Sequence, residues 1–126
     1  MQANIAGGRR RPEGKFELSA WLFMRVSGLL LCVLAIGHLF IMHVFNGIDQ
    51  IDYNFVAERF ATPFWRTYDL AMLTLAMLHG TNGIRVLIGD YVHSPGKKLL
   101  ALSTLYTLTF VLISLGALVL FTFQAK

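Results

Sequence analysis

A chain of 126 residues that is 56% hydrophobic and only 14% charged lies outside the habit of soluble domains, which average roughly 45–50% apolar and about 25% charged. That composition excludes a disordered segment, a nucleic-acid module and a free-standing cytosolic enzyme. The net charge of +4, from eleven Lys and Arg against seven Asp and Glu, sits at the ends of apolar runs, so membrane topology explains it better than a nucleic-acid partner.

Residues 1–18 are polar, carry Gly7-Gly8 and Arg9-Arg10-Arg11, and read as a tail. Trp21 to Val44 is the first apolar run, interrupted by Arg25, Ser27, Gly28, Gly37, His38 and His43. As a helix it spans about 36 Å, enough for a hydrocarbon core of about 30 Å. It is far longer than a signal-peptide core and has no small-residue cleavage site after it, so no cleavable signal is expected. Cys32, the single cysteine, lies inside this run and has no internal disulfide partner. Residues 45–62 are polar and form a loop with room for a short interfacial helix. Thr62-Pro63 opens the second run, with Thr at the N-cap and Pro at the first helical position. That run reaches about Gly89, with Ser94-Pro95-Gly96 as the breaker. The third, Leu99 to Phe123, has no charge at all. The expected fold is an all-α membrane domain over residues 19–126, with three spanning helices near 21–44, 63–89 and 99–123.

Lys and Arg placement orients it. Arg9, Arg10, Arg11, Lys15, Lys97 and Lys98 lie on one side, against Arg59, Arg66 and Lys126 on the other. Six against three places the N-terminus and the second loop in the cytoplasm and the C-terminus outside. Intramembrane ionisable groups face protein, a cofactor or water. The first two runs carry such groups and the third does not, so this chain reads as part of a larger assembly.

His79 stands mid-run in Met77-Leu78-His79-Gly80-Thr81-Asn82-Gly83. Gly80 and Gly83 leave room for a flat macrocycle held by the imidazole, or equally for close helix packing around a hydrogen-bonded histidine. His38 offers the same choice on the first helix. With Trp21 at the cytoplasmic interface, His38 lies about 25 Å deep, whereas His79 is about 16–17 Å from the cytoplasmic end, so the two serve different depths. His43 reads as an outer-interface residue. Asp90 is eleven residues past His79, nearly three whole turns, and so lies near the same face. Asp90-Tyr91, with Trp21, Arg25 and Ser27 at that level, can form a quinone headgroup site, since Tyr donates a hydrogen bond and Asp moves protons. An interfacial aromatic belt and a solvated carboxylate account for the same pair. Arg25 and Arg85 suit a propionate or a lipid phosphate. Asp69 fits the helix dipole and needs no function.

Taken together, Trp21-Leu22-Phe23-Met24-Arg25-Val26-Ser27-Gly28, Gly37-His38, Leu78-His79-Gly80 and Asp90-Tyr91 resemble the hydrophobic membrane-anchor subunits of succinate dehydrogenase (succinate:quinone oxidoreductase), most of all the D-type anchor. The resemblance covers roughly residues 17–123. It implies a respiratory complex in which a flavoprotein oxidises succinate, an iron–sulfur subunit carries the electrons, and two anchor subunits hold haem b and form the quinone site. It further implies His79 as an axial ligand of the haem nearer the iron–sulfur subunit, Asp90 and Tyr91 at the quinone, and Arg25 at a propionate or the quinone. The Ser27-Gly28…His38 spacing is similar to the helix that ligates the distal haem in dihaem anchors. That implies two haems b shared with the partner anchor, with His38 on the distal one, and a low-potential quinone such as menaquinone. The implied location is the cell (inner or plasma) membrane, with the quinone on the cytoplasmic side. A purely structural anchor, or a small transporter or channel subunit using Asp69, Arg25 and Arg85, are the alternatives.

Overall fold

The computed structural model describes residues 14–123. Helix α1 (Lys15–Leu39) runs without a break into a π-helical turn, Phe40–Phe45. A 3₁₀ turn (Ile48–Gln50) and the short helix α2 (Tyr53–Ala61) follow, then α3 (Pro63–Tyr91) and α4 (Pro95–Thr122). Three helical segments, Lys15–Phe45, Pro63–Tyr91 and Pro95–Thr122, are long and apolar enough to cross a membrane. At 1.5 Å per residue each exceeds about 40 Å, so the helices project past both faces of a core of about 30 Å.

The three runs are thus helices, with shifted ends. α1 begins at Lys15, inside the expected tail, because Lys15-Phe16-Glu17-Leu18 continue the helix with their polar groups at the membrane face. Arg9, Arg10 and Arg11 lie outside the described residues. α4 starts at Pro95 rather than Leu99: Ser94 holds the N-cap position and Pro95 the first turn, where a missing N–H is harmless. Ser94-Pro95-Gly96 is therefore a helix start, and only residues 92–94 link α3 to α4. The loop between α1 and α3 does hold a short helix. Asp52 caps α2, its Oδ1 accepting from Phe55 N at 2.8 Å, a bond worth about 1 kcal/mol. Thr62 precedes Pro63 as expected, but its side chain caps nothing.

α3 is the central helix, packing on α1, on α4 and against α2. Among the described residues five are buried: Ala57, Leu120, Ser27, Arg59 and Thr109. Three of the five are polar, while Leu29, Val33, Phe110 and Leu118 are exposed. A soluble core is built the other way round. In hydrocarbon, apolar exposure is free of penalty and polar groups must find partners inside. Accordingly Thr109 Oγ1 donates to Leu105 O at 2.9 Å and receives Thr81 Oγ1 at 2.6 Å, tying α4 to α3. Beside that seam Gly116 admits Leu73, whose Cδ2 occupies the space a Cβ would take. At the α2 end, Phe123 stacks against Tyr53 and Phe60, and its carbonyl accepts from Arg66.

Candidate functional site

α1 and α3 run antiparallel, so positions along one map in reverse onto the other. Ser27 and His38 are eleven residues apart, nearly three turns, and share one face of α1. That face meets α3, and each of its two polar residues meets a polar residue there.

Ser27, 1% exposed, lies opposite His79. Its Oγ is 2.5 Å from Phe23 O and 2.8 Å from His79 Nδ1. A hydroxyl carries one proton, and a carbonyl can only accept. Ser27 therefore donates to Phe23 O, and Nδ1 of His79 carries the proton of the second bond. His79 is the Nδ1–H tautomer, with the lone pair on Nε2. Nε2 has no hydrogen-bond partner among the described residues. Gly28 lets the ring approach: a Cβ there would stand 3.3 Å from His79 Cε1. At Gly80 nothing lies within 4 Å of where a Cβ would be, so the helix surface beside His79 is open on that side.

Ten residues back along α3, nearly three turns, the second level is built round Asp69. Arg59 from α2, 7% exposed, forks onto it, with NH2 at 2.7 Å from Oδ1 and Nε at 3.2 Å from Oδ2. The guanidinium lies 4.3 Å over the Trp65 ring and touches Met42 Sδ in the π turn. His38 Nδ1 is 3.7 Å from Asp69 Oδ1, buried, and without a hydrogen bond. The expected dipole role of Asp69 does not hold, because the first turn of α3 contains no acidic residue and Asp69 lies beyond it. Its charge is instead matched by Arg59 of α2, a residue whose sequence context marks only membrane topology. Between the two levels Tyr68 donates to Leu34 O at 2.5 Å across the helix pair, and a Cβ at Gly37 would press its hydroxyl at 2.9 Å.

The expected headgroup cluster is split. Arg25 is two residues from Ser27, about 200° round the helix, and stacks 4.0 Å over Trp21 on the exposed side. Ser27 is turned inward and taken up by His79. Arg85 bonds Asn82 Oδ1 at 2.9 Å and forks onto Glu17 at 3.0 and 3.3 Å. Phe16, Phe23, Asn82, Arg85 and Tyr106 line a cavity of about 340 Å³ there. Asp90 and Tyr91 close α3; Tyr91 is 78% exposed, and neither has a polar partner among the described residues. His43 is exposed in the π turn. Asp69 sits with Arg59 at one end, whereas Arg25 and Arg85 sit at the other, sixteen residues from Asp69 in the case of Arg85. The three charges line no common path.

Three apolar spans with an apolar exterior and polar groups folded inward define an integral, multi-pass membrane protein. Residues 9–121 match the family of succinate dehydrogenase/fumarate reductase transmembrane subunits, and the chain belongs to that family. It is similar to the succinate dehydrogenase hydrophobic membrane anchor subunit of Archaeoglobus fulgidus, at 32% identity over 96 residues (76% of this chain and 80% of the relative). The protein of the same description from Rickettsia typhi is 27% identical over 93 residues, 74% of this chain and 72% of that one. The resemblance seen in the motifs is therefore a family membership, and the chain is a membrane-anchor subunit.

Proposed function

We propose that this anchor subunit supplies His79 and His38, one to each of two haems b, and contributes Asp90 and Tyr91 to a quinone-reduction site. It does so within a succinate dehydrogenase or fumarate reductase complex of the cell membrane. Its partners are a flavoprotein, an iron–sulfur subunit and a second anchor, which provides the opposite ligands. The carrying observation is the proton accounting at Ser27, which leaves His79 Nε2 as a free electron-pair donor beside the open surface at Gly80. A ligating histidine usually gives its other N–H to a fixed partner, and here that partner is the Ser27 hydroxyl. The residues thus fit a haem that takes one ligand from this chain; the described residues hold no group of three or more metal-binding side chains. When bound, the haem supplies one-electron transfer.

The chain's own residues do the rest. Ser27 fixes the tautomer of His79, and Gly28 sets how close its ring lies to α1. Tyr91 donates a hydrogen bond to a quinone carbonyl and Asp90 passes protons to it, the exposure of both supporting a partner beyond this chain. Trp21, Arg25 and Arg85 stand at the same end, where their cations suit a propionate or the quinone. The quinone is menaquinone on the dihaem reading. The N-terminus and the α3–α4 turn face the cytoplasm, which puts the quinone site on that side. Succinate oxidation belongs to the flavoprotein.

A purely structural anchor would use its histidines only for interhelical bonds; His79 makes one through Nδ1, to Ser27, and what supports ligation is the electron pair left on its Nε2. A reduced-minus-oxidised visible spectrum of the purified complex tests the proposal: b-type bands are expected, and His79→Ala should remove one component. A complex without such bands, or an unchanged spectrum in the variant, overturns it.

A further inference from the structure

The orphaned nitrogen of His38 and the ion pair beside it carry one step more. We infer that Asp69 is the positioning residue of His38, so that Arg59, Asp69 and His38 form the counterpart, one level away, of Ser27 and His79. The inference rests on the reading of His38 as a haem ligand.

Three observations lead to it. His38 Nδ1 is buried, so neither water nor a lipid headgroup completes it, and Asp69 Oδ1 at 3.7 Å is the carboxylate it faces. The separation exceeds the usual N–H···O distance of about 2.9 Å by about 0.8 Å, so the contact is electrostatic as it stands and its closure to a hydrogen bond is part of the inference. Asp69 is itself held in place: both its oxygens accept from Arg59, whose side chain is 5% exposed and packed on Trp65. Each carboxylate oxygen retains a free lone pair after that fork. A lone pair on Nδ1 facing an anionic oxygen would be repelled, so Nδ1 carries the proton and Nε2 the electron pair. Arg59 holds the carboxylate in place, Asp69 fixes the imidazole, and the imidazole presents Nε2.

The two histidines then differ in chemistry. His79 gives its N–H to a neutral hydroxyl and His38 to a carboxylate. A carboxylate draws the N–H proton harder than a hydroxyl does, strengthens Nε2 as an electron-pair donor, and would stabilise ferric over ferrous iron held there.

Potentiometric titration of the haem bands in the purified complex tests this. Wild type, His38→Ala and His79→Ala assign the two components. In Asp69→Asn the component absent from His38→Ala should move to higher potential while the His79-dependent one stays in place. Because Asp69→Asn also strands the Arg59 charge, the charge-compensated Arg59→Gln/Asp69→Asn variant is titrated alongside, and it should show the same upward movement of the same component. An unmoved component in the double variant, or equal movement of both, overturns the role of Asp69 while leaving the haem assignments standing. Failure of either variant to retain the His38-dependent component at all supports the inference only if the His79-dependent component survives; loss of both overturns it in favour of general structural support. A wild-type complex with no component that His38→Ala removes overturns the reading of His38 and this inference together.

Discussion

Ser27 Oγ bridges Phe23 O and His79 Nδ1 at 2.5 and 2.8 Å, so a helix-internal carbonyl decides which nitrogen of a histidine on another helix holds the proton. Ser27→Ala removes the bridge and leaves Nδ1 buried against α1 with no acceptor. Loss of such a partner weakens metal binding by roughly 10–100-fold. The expected outcome is loss of the His79-dependent haem component on dilution or mild detergent washing, followed as haem per complex, with Ser27→Thr closer to wild type. Equal haem retention in Ser27→Ala would remove Ser27 from this role.

How much of this was legible in the sequence depends on distance along the chain. The three spans are written in long, predominantly apolar runs, and their helical state needs nothing beyond backbone satisfaction in lipid. Their ends are less legible: Lys15-Phe16-Glu17-Leu18 look like tail because polarity marks the membrane boundary, not the helix boundary. The π turn at Phe40–Phe45 has no compositional mark, although Asn46, which donates to Ile41 O at 2.7 Å, is the residue that satisfies its end. Residue type and depth single out His79, His38, Asp90 and Tyr91 as candidates. Depth alone groups Ser27 with Trp21 and Arg25, while azimuth separates them and turns Ser27 towards His79. The eleven-residue interval from Ser27 to His38 was the signal that both face α3. Arg59 had none, since its partner lies across the Thr62-Pro63 turn and its own segment reads as loop.

Arg59 and Arg85 both fork onto carboxylates, yet their removal should differ sharply. The Arg59–Asp69 pair is buried, with side chains 5% and 14% exposed, and breaking a buried pair from one side costs about 3–5 kcal/mol. Arg59→Ala should lower the thermal midpoint of the purified complex clearly. Glu17 is half exposed in its pair with Arg85, where solvent and salt screen the interaction. Glu17→Gln should leave the midpoint close to wild type. Similar midpoints for the two variants would count against Arg59 as the anchor of α2.

Two glycines hold helices at close range for different ends. A Cβ at Gly28 stands 3.3 Å from His79 Cε1, whereas one at Gly116 overlaps Leu73 Cδ2. Gly116→Ala forces Leu73 from its seat, and overpacking of this kind costs about 1–3 kcal/mol. It should reduce stability and leave the haem spectrum as it is. Gly28→Val should instead displace the His79 ring and alter the His79-dependent band at similar stability. A Gly116→Ala spectrum as disturbed as that of Gly28→Val would mean that the whole bundle, and not Gly28, sets the ring.

Tyr91 is 78% exposed, with no partner for its hydroxyl among the described residues. If that hydroxyl serves a quinone carbonyl, Tyr91→Phe removes one hydrogen bond and keeps the ring. A net contribution of about 1 kcal/mol corresponds to roughly a fivefold loss in quinone reduction. Succinate oxidation measured with a soluble artificial acceptor should be unchanged, because electrons then leave before reaching the membrane. Asp90→Asn should also slow quinone reduction and spare the artificial-acceptor assay, and it should lose more than Tyr91→Phe if proton delivery limits the rate. Equal losses in both assays would show that residues 90 and 91 support assembly of the complex. An unchanged quinone rate in both variants would place the headgroup elsewhere, with the Arg85-lined cavity of about 340 Å³ between α1, α3 and α4 as the next place to examine.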